Sequence, residues 1–202
     1  MKISNFKEEN IIREIDNYEA DDIIGTYSKI ISNDDKYEGL IVSSDKDLLQ
    51  LINKNNTVKL LKSHDYIMMD ENEFMNTYGL TPDKMIDLKG LMGDSSDNIP
   101  GVKGIGEKTA LKLLQKYDSI EGIYENIEDI TGSTKDKLIE GKESAFMSKK
   151  IATIYKEVPV TYSLEELTYT GPTDKLKDMY NELEFYSFLK EVKVNKPVDS
   201  NV

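Results

Sequence analysis

Asp94 and Asp97 lie in the polar turn Gly93-Asp-Ser-Ser-Asp-Asn-Ile-Pro100, and Gly101-Val102-Lys103-Gly104-Ile105-Gly106 then opens a stretch carrying Lys108, Thr109 and Lys112. The two carboxylates can hold a hard cation. The loop can hold a phosphate, because glycines let backbone amides approach it and a helix N-terminus presents unpaired N–H groups. A cation site beside a phosphate site is what metal-dependent chemistry on nucleic acid requires. Further acids recur upstream as Glu19, Asp21 and Asp22, and as Asp45 and Asp47. Each group also has a plain reading. Acids in a first turn complement the helix dipole, an Asp after a strand caps the next helix, and the stripe Lys108, Lys112, Lys116 is a solvated face. Three acids within four residues, close to a second acidic motif, favour the cation reading; the glycine loop ahead of the lysines favours phosphate.

Three familiar templates fail on this loop. An EF-hand starting at Asp94 needs Gly where Ile99 stands and Glu where Ile105 stands. A Walker A loop needs Gly-Lys-Ser/Thr, but Glu107 separates Gly106 from Lys108. The dinucleotide fingerprint ends on Gly, whereas this run reaches Thr109.

The elements that must position these residues can be read from periodicity. Residues 18–31 place Ala20, Ile23, Ile24, Tyr27, Ile30 and Ile31 on one helical stripe, with Glu19 and Asp22 about 60° apart at one margin and Asp21, the least securely placed, on the other flank. Residues 38–43 read as a short buried strand, so Asp45 and Asp47 fall at its C-terminal end, where ligands bind in open α/β sheets. Leu48, Leu49, Leu51 and Ile52 supply core, and 57–61 with 65–69 form a hairpin whose turn holds His64, a surface residue. Helices follow over 71–78, ended by Gly79, and from Thr81-Pro82 with Met85, Leu88 and Met92 inward. The loop helix runs to Tyr117 with Leu111 and Leu114 inward, Ser119 caps a short helix, and 143–155 forms a longer one with Met147, Ile151 and Ile154 inward. A last amphipathic helix over 172–192 presents Leu176, Leu183, Phe185 and Leu189. The change from α/β alternation to helices puts a domain boundary at residue 80, giving 1–80, 81–192 and a tail over 193–202.

Composition narrows the chemistry. The chain has 202 residues, no cysteine and one histidine, so thiolate sites are excluded, zinc is disfavoured, and a metal must be held by oxygen. Net charge is −12, so any grip on nucleic acid is a local patch; Arg13 is the only arginine, so phosphate contacts fall to lysines and amides. No apolar run reaches a membrane span and no signal peptide is visible, which places the chain in the cytoplasm.

Together, Tyr18-Glu-Ala-Asp-Asp-Ile-Ile-Gly25, Ser44-Asp-Lys-Asp-Leu-Leu-Gln-Leu51 and Gly93-Asp-Ser-Ser-Asp-Asn-Ile-Pro-Gly-Val-Lys-Gly-Ile-Gly-Glu-Lys-Thr-Ala110 closely resemble the 5′-nuclease domain of bacterial DNA polymerase I, and Leu183–Leu189 resembles its closing helix. The resemblance implies an α/β fold, a PIN-like nuclease core followed by a helical region with a helix-three-turn-helix DNA-binding motif. It implies removal of 5′ flaps and RNA primers by 5′-3′ exonuclease and flap endonuclease activity. By motif, Glu19, Asp21, Asp22, Asp45, Asp47, Asp94 and Asp97 match the family's metal-site acids. Gly101, Val102, Lys103, Gly104, Ile105, Gly106, Lys108 and Thr109, continued by Lys112, match the loop that grips duplex backbone, where the family also binds K⁺ through main-chain carbonyls. Family members carry an earlier strand with a metal-binding Asp and a helical arch, which have no counterpart ahead of Tyr18.

Seven carboxylates in one cleft repel by roughly 4 kcal/mol per close pair at intermediate dielectric, so cations are expected there. All-oxygen ligation suits two Mg²⁺ or Mn²⁺ ions and two-metal phosphodiester hydrolysis leaving a 5′-phosphate. The expected partners are DNA with a 5′ end or flap and RNA-primed DNA, with a polymerase or an N-terminal segment alongside, on a monomeric chain away from membranes. The alternative is a duplex-binding module without catalysis. A central strand lacking its neighbours should leave an apolar face and an open edge.

Overall fold

The computed structural model describes residues 14–167 and 174–190. Tyr18–Val158 form one compact unit; the described residues 14–17, 159–167 and 174–190 fall in another.

The first unit begins with α1, Ala20–Ser32, which is closed by a capping box. The Glu19 amide donates to the Asp22 carboxylate at 3.3 Å, and the Glu19 side chain accepts in return. The predicted stripe of α1 is met only in part: Ile23 is buried and Ile24, Tyr27 and Ile31 are half-buried. Ile23, Gly25, Thr26 and Ser28 are buried, while Ala20 and Ile30 are exposed. Small residues win because they let another segment come close. A Cβ on Gly25 would lie 2.6 Å from Ile154 Cγ2, and the Val158 amide donates to Thr26 Oγ1 at 3.0 Å.

Strands β1 (Gly39–Ser43) and β2 (Asn56–Leu61) are parallel, with Gly39 opposite Asn56 and Ser43 opposite Leu60. Parallel neighbours need a crossover, and residues 44–55 supply it through a 3₁₀ turn, Asp47–Leu51, that packs Leu48, Leu49 and Leu51 inward. Buried Asn56 ties the crossover to α1, its Nδ2 donating to Ser28 O and Ser32 Oγ, both at 3.0 Å. The expected hairpin forms as β2 and antiparallel β3 (Tyr66–Met69), giving sheet order β1-β2-β3. Ile41, Val58, Leu60, Ile67 and Met69 face the core. Register puts Leu40, Val42, Leu61, Tyr66 and Met68 on the opposite face, and all are exposed, Leu40 at 57% and Val42 at 55%. The outer edge of β1 has no partner strand among the described residues. Among the described residues an apolar face and an unpaired edge are thus present, as expected.

Helices follow as predicted: α2 (Glu71–Tyr78), capped by Asp70 and ended by left-handed Gly79, then a 3₁₀ turn Pro82–Lys84 leading into α3 (Met85–Met92). After the glycine loop come α4 (Glu107–Tyr117) and Ser119-capped α5 (Ile120–Glu125). An unpredicted α6 (Ser133–Glu140) precedes α7 (Lys142–Ala152). The expected inward face of α7 needs correction. Of the three residues expected inward, Ile154 is buried just past the helix end, but Met147 and Ile151 are exposed at 53% and 56%, and Ala145, Ser148 and Ala152 are buried instead. Gly90 is the reason: a Cβ there would lie 3.0 Å from Lys149 Cβ and 3.1 Å from Ala145 O, so α3 and α7 touch through small residues. One core runs from Val58 and Phe74 through Leu88 and Leu91 to Leu114 and Leu138, across residue 80.

In the second unit the single helix expected over 172–192 is broken. α8 (Asp174–Glu182) stops where Glu184 takes φ 57°, and α9 (Tyr186–Leu189) follows. Leu176, Leu183 and Leu189 are half-buried and Phe185 is exposed. The ends of that helix and the tail lie outside the described residues. No helix among the described residues is long and apolar enough to cross a membrane.

Candidate functional site

Gly93 and Gly101 close the acidic turn. Gly93 has φ 75° and Gly101 φ 60°, and a Cβ on Gly101 would lie 2.2 Å from the Gly93 nitrogen, so neither tolerates a side chain. Asp94 and Ile99 exchange both backbone hydrogen bonds at 2.8 Å. The Asp94 carboxylate accepts from the Ser96 amide at 2.9 Å and from the Ser96 hydroxyl. Asp47 approaches from the crossover after β1, its amide donating to Asp45 Oδ1 at 2.8 Å; the Asp45 amide in turn donates to Ser43 Oγ at 3.0 Å.

Asp47, Asp94 and Asp97 each bring a carboxylate oxygen to one point, all within 4.8 Å of one another. Into that point reaches Lys89 from α3. Its side chain is only 4% exposed, and its Nζ contacts Asp47 Oδ1, lies 2.8 Å from Asp94 Oδ2 and 3.7 Å from Asp97 Oδ2. The ammonium beside Asp94, helped by Ser96, holds that carboxyl down at about 2. Sequence reasoning missed Lys89. Its signal was a lone lysine inside the otherwise apolar run Leu88–Met92, where a cation is buried only if it is paired.

The remaining acids separate. Asp21 is half-buried, and its pKa is raised by burial, then by Asp45, Glu19, Asp22 and Asp97. It therefore shares a negative field with both neighbouring motifs, although it was the least securely placed acid of the first helix. Asp22 is engaged structurally, one oxygen accepting from the Glu19 amide and the other from the Tyr155 amide at 3.0 Å. Glu19 and Asp45 are exposed. An all-oxygen set of three converging carboxylates fits a small divalent cation, and the fully buried Asp47 Oδ1 is aimed at the place such an ion would take.

The glycine loop is held from behind by α7. Gly101 donates its N–H to Ser148 Oγ at 3.0 Å and accepts from Ser144 Oγ at 2.6 Å. Val102 and Ile105 point into the core, leaving only their backbone toward any ligand, while Lys103, Gly104, Gly106, Lys108 and Lys112 are exposed and Thr109 is half-buried. The first amides of α4 lack intrahelical acceptors, as at any helix start. Lys112, Lys116 and Thr109 line a groove of about 270 Å³. Lys137 Nζ donates to Gly104 O at 3.2 Å, so one carbonyl of this loop already faces a cation of the chain itself.

Two family models match in succession. The 5′-3′ exonuclease N-terminal resolvase-like domain covers residues 7–79, and the 5′-3′ exonuclease C-terminal SAM fold covers 80–175. DNA polymerase I of Bacillus subtilis is 50% identical over 115 residues, which is 56% of this chain and 13% of the polymerase. The 5′-3′ exonuclease of the same species is 46% identical over 111 residues, 54% of this chain and 37% of its own length. The chain thus spans well under half of either relative. The solved structure of the bacteriophage T5 flap endonuclease in a pseudo-enzyme–product complex with DNA and metal ions gives a TM-score of 0.60 at 21% identity, covering 86% of this chain and 61% of that one. At that identity the likeness establishes the fold, a resolvase-like α/β core followed by a helical region, in agreement with the class read from the sequence. With both of its domain models matched in order, the chain belongs to the 5′-3′ exonuclease family.

Proposed function

We propose that this chain is the metal-binding and duplex-gripping part of a divalent-metal-dependent 5′-3′ exonuclease and 5′-flap endonuclease, acting on DNA and on RNA-primed DNA. The observation that carries the reading is that Asp94, Asp97 and the phosphate loop belong to one segment pinned by the contact of Gly93 with Gly101. A cation held at the acids is thereby at a fixed offset from a phosphate held at the loop, and fixed geometry is what lowers the cost of bringing bond and catalyst together.

Asp47, Asp94 and Asp97 would hold Mg²⁺ or Mn²⁺, with Asp21 and Asp45 deepening the negative potential. When bound, such ions supply an activated water and neutralise charge on the phosphate under attack. The chain's own part is to place the strand: the loop and α4 amides with Lys103, Lys108 and Lys112 take the duplex backbone, giving a salt-sensitive and sequence-tolerant grip. A monovalent ion at the loop would share Gly104 O with Lys137. The open β1 edge and exposed sheet face favour a second reading, in which the isolated chain binds duplex DNA and cuts only when another segment completes the sheet.

The test is cleavage of a labelled 5′-flap duplex with Mg²⁺ or with EDTA, beside Asp94→Ala. Mg²⁺-dependent product that disappears in Asp94→Ala supports the nuclease reading for this chain alone. Binding without product supports the second reading, and neither binding nor product rejects both.

A further inference from the structure

We infer that Lys89 is a built-in counter-cation of the acidic site: in the metal-free protein its ammonium occupies the place of a divalent ion, holds the three carboxylates together, and must leave when metal enters. This rests on reading Asp47, Asp94 and Asp97 as a metal centre.

Three observations carry it. The ammonium does not flank the cluster but sits within it, touching Asp47, 2.8 Å from Asp94 and 3.7 Å from Asp97. The three carboxylates it meets are the same three that each bring an oxygen within 4.8 Å of the others, so a small cation bound to them would take the same volume. Mg²⁺ takes oxygen ligands at about 2.0–2.1 Å and would fill the space between the same carboxylates, where two cations repel, so ion and ammonium cannot occupy it together. Finally, Lys89 is 3% exposed overall, on a helix whose other side is core. A lysine is kept buried in a family of acids only where it is paired, and removing the pair leaves the acids to repel.

The consequence is a trade. Without metal, Lys89 offsets one of three negative charges and keeps the Gly93–Gly101 turn in shape. With metal, the ammonium is a competitor, and the affinity of the site is lowered by whatever its displacement costs. Lys89 is thus a positioning residue of the empty site, and it sets the divalent concentration at which the site fills.

The experiment compares the full chain with Lys89→Met, which keeps the aliphatic stem and deletes the charge, and with Lys89→Gln. Mn²⁺ affinity is read by titration calorimetry and thermal stability in EDTA and in Mg²⁺. Lys89→Met should bind Mn²⁺ about tenfold or more tightly, since a unit charge a few ångströms from the ion is removed. It should also be less stable than the parent in EDTA and gain more on adding Mg²⁺. Should both variants fail to fold without metal, the parent itself decides: with ¹⁵N-labelled lysine, the buried Lys89 ammonium signal should be visible in EDTA and should shift or vanish on saturation with Mg²⁺. A signal unmoved at saturation, or a Lys89→Met affinity equal to or weaker than the parent's, overturns the inference while leaving the metal centre standing. No divalent binding in the parent and folded variants would overturn the metal centre and the inference with it.

Discussion

Lys89 Nζ lies 2.8 Å from Asp94 Oδ2, and this pair sets how the acidic cluster responds to acid when metal is withheld. The ammonium, then Ser96, lower the Asp94 pKa from 3.8 to about 2. The folded value is below the unfolded one, so the stabilisation is present above about pH 4 and is lost as pH falls through about 2. Allowing for partial exposure, it amounts to roughly 1–2 kcal/mol. Urea unfolding in EDTA across that window should show this loss in the parent and not in Asp94→Asn. Parallel acid limbs in the two proteins would remove the pair as its cause.

Asp21 behaves in the opposite sense. Burial and the charges of Asp45, Glu19, Asp22 and Asp97 raise its pKa, so its ionised form is disfavoured in the folded chain and its contribution worsens as pH rises. Asp21→Asn should raise the melting temperature in EDTA and shrink the further rise produced by Mg²⁺. Calorimetry in both conditions checks this, and a lower melting temperature in EDTA would show that Asp21 makes contacts that outweigh the repulsion.

The most consequential ion pair outside the site joins α3 to α7. Buried Asp87 accepts from Lys149 Nζ at 2.7 Å and from the Ile120 amide at 2.9 Å. Burial alone would lower the Lys149 pKa, but its hydrogen bonds to Asp87 and Glu121 reverse that and raise it. Asp87→Ala leaves the buried Ile120 amide without its acceptor and Lys149 with Glu121 alone, and should cost about 2–3 kcal/mol. Glu121, half exposed on the same lysine, should cost under about 1 kcal/mol when replaced by Ala, and equal losses at the two positions would count against the burial argument.

The sheet face carrying Leu40, Val42, Tyr66 and Met68 should make the purified chain self-associate. Val42→Lys is expected to shift sedimentation toward the monomer while changing stability by less than about 0.5 kcal/mol, as for any substitution outside the core. A large loss of stability would mean that this face is packed in solution.

Most local structure was legible because it is written in local chemistry. Asp70 and Ser119 accept from amides three residues on, Gly79 supplies a left-handed stop, and the alternation of β2 and β3 fixes their pairing. What failed was the choice of buried face. Of the apolar stripes read for α1 and α7, Ile23 and Ile154 are buried but Ile30, Met147 and Ile151 are not, and Gly25, Thr26, Ala145 and Ser148 take their place, because close backbone approach rewards small residues and this depends on the partner segment. The unpredicted α6 and the broken helix at Glu184 are similarly set by neighbours rather than by periodicity.

The chemistry divides along the same line. By itself the sequence determined that any metal here is held by oxygen, that the acids come in three motifs, and that a glycine loop adjoins one of them. Only the tertiary structure decided which acids meet: Asp47 joins Asp94 and Asp97, while Asp22 is drawn away to the amides of Glu19 and Tyr155. It also placed Lys89 among them. The physical reason is that residue type and spacing fix a side chain's capacity to bind, whereas its partner is chosen by the packing of segments distant in the chain, here the β1 crossover, α3 and the Gly93–Gly101 turn.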